Sequence, residues 1–60
     1  MMADRFTAET RDERWTVVDH EERRRVVPGG HWSEETARLI ARGLSRRPYH
    51  EDLFIWEPEA

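Results

Sequence analysis

Ser33–Arg46, SEETARLIARGLSR, is the stretch whose reading decides the fold. Ser33 can accept hydrogen bonds from the free backbone N–H groups of a first helical turn. Glu34 and Glu35 follow where the partial positive charge of a helix start favours anions. Thr36 stands where a full capping box would have Glu or Gln. Ala37, Ile40, Ala41 and Leu44 recur at i, i+3, i+4 and i+7, so they share one face, which Leu39 widens. Glu34, Arg38 and Arg42 succeed one another at i+4 steps on the opposite side. Arg46 and Arg47 suit the negative helix end, and Pro48 stops propagation. The pattern predicts one amphipathic helix of about four turns. Gly43 is its weak point, about 1 kcal/mol less favourable than Ala in a helix interior. It either lets a strand approach closely or marks early fraying.

Upstream, Trp15–His20, WTVVDH, is β-branched and aromatic and reads as a first strand. Trp15, Val17 and Asp19 point one way, Thr16, Val18 and His20 the other. Glu21-Glu22 provides a polar turn without the Gly or Asn that tight hairpins prefer. Arg23–Val27, RRRVV, returns as a second strand and Pro28-Gly29-Gly30 ends it. Downstream, Leu53–Trp56, LFIW, is the most apolar run and reads as a third strand. The expected fold is α+β: a three-stranded antiparallel sheet in the order β-β-α-β with the helix on one face and the last strand beside the first. Residues 1–14 lack a period apart from Phe6 and read as a flexible arm. Residues 15–57 form the single domain, and residues 58–60 an acidic tail.

A chain of 60 residues buries only about 60% of its unfolded surface on folding, so a marginal monomer or a dimer sharing its core is expected. The absence of cysteine removes disulfides and thiolate metal sites. No apolar h-region and no stretch of membrane-spanning length is present, so a soluble, cytoplasmic protein is expected. All ten basic residues are Arg, against thirteen acids, for a net charge of −3.

His20, His31 and His50 match no zinc or metalloprotease spacing and read as exposed loop histidines, so neither catalysis, a metal nor a cofactor is expected. Pro28-Gly29-Gly30 lacks both phosphate-loop patterns, and two acids open the following helix, so it is a turn. Arg23, Arg24 and Arg25, with Arg46, could form a basic stripe for nucleic acid, but acids accompany every basic cluster and the net charge is negative. The doublets Val17-Val18 and Val26-Val27 and the LFIW quartet place apolar groups on both sheet faces, and one helix covers only one. The arm, a second copy or another protein must cover the other. Trp15, Val17, Phe54 and Trp56, with Arg38 and Arg42, are therefore the expected partner-binding residues, Trp and Arg being enriched among interface hot spots.

Trp15–Asp19, WTVVD, followed by Val26-Val27 and by Trp32–Leu44, WSEETARLIARGL, resembles small proteins encoded by bacteriophages and mobile elements of GC-rich bacteria. These pair a short hairpin with such a helix. The resemblance covers about half the chain and carries no catalytic residue. It implies a non-enzymatic inhibitor or adaptor, as anti-CRISPR proteins are, that covers a surface on a protein partner of host origin.

Overall fold

The structure, a computed structural model, describes residues 4–59. Strand β1 (Phe6–Arg11) pairs with β2 (Arg14–Asp19), β2 with β3 (Arg24–Val26), and β3 with β4 (Trp56–Pro58), all antiparallel. Helix α1 (Glu34–Arg46) and a 3-10 helix (Pro48–Leu53) lie between β3 and β4. The fold is thus α+β with an antiparallel sheet and one α-helix, as expected, but the sheet has four strands in the order β1-β2-β3-β4.

The added strand comes from the stretch read as a flexible arm. In Phe6–Arg11, FTAETR, Phe6, Ala8 and Thr10 alternate with Thr7, Glu9 and Arg11, a two-residue period disguised by the small side chains Ala8 and Thr10. The β1–β2 turn is Asp12-Glu13, both residues left-handed at φ 55° and 64°, the twist that two-residue hairpins require. Glycine normally fills such positions, so its absence hid the turn. The β2–β3 loop is closed by a third left-handed residue, Arg23 at φ 53°.

β1 also explains where the last strand goes. With β1 on one side of β2 and β3 on the other, no edge remains beside β2, and β4 takes the free side of β3 instead of lying beside Trp15–His20. β4 begins later than expected as well. Pro48 starts the 3-10 helix, which carries the chain to Leu53 and leaves only Trp56 of the LFIW quartet in the strand. Pro58, which cannot donate to a ladder, is accommodated because β4 is an edge.

The helix forms much as its sequence dictates. Ser33 is extended at φ −78°, ψ 166° and its hydroxyl accepts from the Thr36 backbone N–H at 3.1 Å. Ala37, Ala41 and Leu44 are buried against Phe6, Val17 and Val26, and the two alanines let α1 close on β1 and β2. Trp15, Trp32, Ile40, Phe54 and Trp56 pack around this core, half-buried. Gly43 does neither thing its sequence suggested: the helix continues past it to Arg46, and a Cβ placed there would meet nothing within 4 Å. Gly43→Ala is therefore expected to stabilise the protein by about 0.5–1 kcal/mol, read as a higher midpoint in thermal unfolding followed by circular dichroism. A lower midpoint would contradict this placement.

Candidate functional site

Backbone alternation divides the sheet into two faces of different chemistry. Phe6, Ala8, Val17 and Val26 lie on the side under α1. Asp19 shares that side, in one cross-strand row with Phe6 and Arg24, but beyond the apolar core. It is fully buried. Its carboxylate accepts from Arg5 Nε at 2.9 Å and Nη2 at 3.1 Å, from Arg24 Nε at 3.1 Å, and from the backbone N–H groups of Glu21 and Glu22 at 3.1 and 3.2 Å. Burial pushes the Asp19 carboxyl up, but the hydrogen bonds from Arg5, from the Glu22 backbone and from Arg24 outweigh it and hold the group below its ordinary range. Arg24 also donates to Glu51 at 2.9 Å and lies over the Trp56 ring at 4.3 Å, while the Trp56 indole donates to the Glu51 carbonyl at 2.9 Å. One buried carboxylate thus ties the residue before β1, the β2–β3 loop, β3 and the 3-10 helix together. This is a structural clamp in which both oxygens of the Asp19 carboxylate are occupied by donors of the same chain.

The opposite face carries Thr7, Glu9, Arg11, Thr16, Val18, Arg25 and Glu57. Val18 and Thr16 are nonetheless buried there. Val18 stands between Thr7 and Arg25 in the register, the Thr16 hydroxyl donates to the Val26 carbonyl, and ion pairs of the same face form a charged roof around them. Arg11 pairs with Glu59 at 2.6 Å and Glu9 at 3.1 Å; Arg25 pairs with Glu57 at 2.8 Å and Glu59 at 2.6 Å. His20 and the Thr7 hydroxyl complete the lattice on Glu9. The N-terminal segment does not lie across this face as a cover: it joins the sheet as β1 and contributes Glu9 and Arg11, while Glu59, from the expected tail, bridges Arg11 and Arg25. Arg11 first and then Arg25 hold the Glu59 carboxyl below its ordinary range. Glu59→Gln is expected to lower the melting midpoint by a few degrees in dilute buffer and by much less in 1 M salt, where screening reaches about 3 Å. An unchanged midpoint in dilute buffer would remove the roof from the account.

The candidate partner-binding residues separate accordingly. Val17 is wholly buried under the helix and offers nothing to a partner. Trp15, Phe54 and Trp56 pack on the core, Phe54 edge-on to Trp32 at 6.3 Å and to Trp56 at 6.5 Å. Arg38 and Arg42 stand exposed on α1, Arg38 paired with Glu34 at 2.6 Å. The arginines considered for nucleic acid do not form one patch: Arg24 faces the Asp19 clamp, Arg25 faces the roof, Arg23 sits in the turn, and Arg46 ends the helix. His50 meets the Tyr49 ring edge-on at 4.6 Å, and His31 is exposed. Among the described residues no three His, Cys, Asp or Glu side chains are grouped to hold a metal ion, and no helix is long and apolar enough to cross a membrane.

What sequence reasoning missed is the outward-facing apolar set of the stretch from Tyr49 to Ile55. Tyr49, Leu53 and Ile55 are 70%, 73% and 73% exposed, and Val27, whose N–H donates to the Ile55 carbonyl at 2.7 Å, is exposed next to Ile55. The signal was present in the quartet LFIW. Phe54 and Trp56 turn inward, and their neighbours Leu53 and Ile55 must then turn outward. Neither a family model, a curated protein nor a solved structure gives a significant match to the chain.

Proposed function

We propose that this protein is a non-enzymatic protein-binding module whose contact surface is centred on Leu53 and Ile55, with Tyr49 and Val27 alongside. The observation that carries the reading is the exposure of Leu53 and Ile55, at 73% each, in the same short stretch as Tyr49, in a chain whose charged side chains pair across the sheet face that α1 leaves free. The aromatic residues serve this surface from beneath. Phe54 and Trp56 fix the backbone on which Leu53 and Ile55 stand, and Trp56 is held to Glu51 of the 3-10 helix. The resemblance of Trp15–Leu44 to small phage-encoded proteins supports reading the module as an inhibitor or adaptor that works by covering a partner's surface.

The test is capture from a host-cell extract with the immobilised protein, compared with Leu53→Ser/Ile55→Ser and with Arg14→Ser, an exposed control in β2. Both changes lie on exposed side chains, so the fold is expected to persist, as circular dichroism would report. A discrete partner should be retained by the wild type and the control and lost by the double variant. Equal retention by all three would overturn the assignment. If light scattering shows the wild type as a dimer and the double variant as a monomer, the surface belongs to a second copy of the chain.

A further inference from the structure

A separate surface lies at the other edge of the sheet. β1 is an edge strand six residues long and free of proline, whereas β4 has three residues and ends in Pro58. His20 N–H donates to the Arg5 carbonyl, and Phe6 stands opposite Asp19. Antiparallel alternation then turns the backbone groups of Thr7, Glu9 and Arg11 toward β2 and those of Phe6, Ala8 and Thr10 outward. Among the described residues nothing pairs with that outer row. An open groove of about 490 Å³ lies between this edge and α1, lined from the β1 side by Asp4, Phe6, Thr7 and Ala8 and from the helix by Arg38, Arg42 and Arg46, so that one acid faces three arginines. Arg42 and Arg46 form no ion pair among the described residues, unlike every arginine of the clamp and the roof.

From this juxtaposition we infer that the groove accepts an extended acidic segment of another protein, which adds to β1 as a fifth strand and places alternate carboxylates on the helix arginines. Two features select this occupant. Outward N–H and C=O groups in a strand are matched by another peptide backbone. The spacing also fits: arginines four apart on a helix advance by about 6 Å, and alternate side chains of a strand by about 6.6 Å. A second copy of the chain fits poorly. Antiparallel pairing of β1 with its own image would bring the two arginine rows together across the seam, and like charges repel. A nucleic acid could meet the arginines but has no amides for the strand edge. This inference is independent of the Leu53–Ile55 surface.

The probe is a fluorescein-labelled seven-residue peptide of alternating Glu and Thr, followed by anisotropy. Four comparisons accompany it: an alternating Lys and Thr peptide, the Glu/Thr peptide N-methylated at alternate residues, a single-stranded thymidine oligonucleotide, and the Leu53→Ser/Ile55→Ser protein. The Glu/Thr peptide is expected to bind. N-methylation should abolish binding, Arg42→Glu/Arg46→Glu should weaken it at least tenfold, and Leu53→Ser/Ile55→Ser should leave it unchanged. Ala8→Pro removes one outward donor while sparing the inner ladder and should also abolish it; the N-methylated peptide makes the same test without altering the protein. No binding of the Glu/Thr peptide, equal binding of its N-methylated form, or indifference to the arginine variant would overturn the inference. Binding of the oligonucleotide in place of the peptide, with a steep loss in salt, would overturn it in favour of nucleic acid.

Discussion

Asp19→Asn is expected to cost about 2–4 kcal/mol, somewhat below the roughly 3–5 kcal/mol of a fully buried ion pair, because Arg5 and Arg24 are partly exposed and keep Glu51 as a partner. Asp19 has no exposed surface and accepts from two guanidinium groups and two backbone N–H groups at once. An amide of the same shape cannot accept at both ends, so it turns its NH2 toward a donor and leaves Arg5 and Arg24 short of a charge. A chain of 60 residues holds about 3–9 kcal/mol in total, so the substitution removes a large share and could unfold the protein at ambient temperature. Urea titration of both proteins near pH 7 measures the difference. The pH dependence carries a sign. The folded-state value of the Asp19 carboxyl lies below its ordinary 3.8, so its contribution is fully present above that pH and is lost as pH falls through the folded value. Glu9, held low chiefly by the Thr7 hydroxyl, and Glu59 behave alike below 4.5. The gap between wild type and Asp19→Asn should therefore be constant from neutral pH down to about 4 and shrink at more acid pH. A gap that widened on acidification would contradict the clamp.

Leu44→Ala is the other large effect. Leu44 is the biggest side chain wholly enclosed, at the point where α1 meets the sheet. Truncation there is expected to cost about 2–5 kcal/mol, through lost burial and the cavity left behind. Leu39→Ala, five residues earlier on the exposed side of the same helix, should change stability by less than about 0.5 kcal/mol. Denaturation midpoints compared at equal slope separate the two. Comparable losses would mean that the helix presents a different face to the sheet.

The helix was legible because each of its signals was local. Ser33, Glu34, Glu35 and the Ala37–Leu44 spacing lie within a few residues of the groups they act on, and the observed Glu34–Arg46 follows them. β1 was not legible, since Phe6 is its one large apolar residue, Ala8 and Thr10 on the same side are small, and its turn is Asp12-Glu13, where hydrophobic alternation and glycine are the usual signs. The position of β4 depended on β1, so one missed strand displaced two conclusions. The cover of the second face could not be read from the chain in order: Arg11 and Glu59 are 48 residues apart, and only the assembled sheet brings them together. The Val doublets and the LFIW quartet pointed to apolar surface beyond what one helix covers, and the sequence reading placed it on Trp15, Val17, Phe54 and Trp56, whereas Val17 is wholly buried and the other three pack on the core. Rings that reach the core are drawn inward, and the shorter, alternating Leu53 and Ile55 are left outside.

Photo-crosslinking from position 55 tests this assignment most directly. A benzophenone amino acid is placed at Ile55 and, in a second protein, at Arg14, and each is irradiated in host-cell extract. One discrete adduct from position 55 and none from position 14 is the expected result. Adducts of equal yield from both positions, or adducts from position 14 alone, would contradict a contact surface built on Leu53 and Ile55.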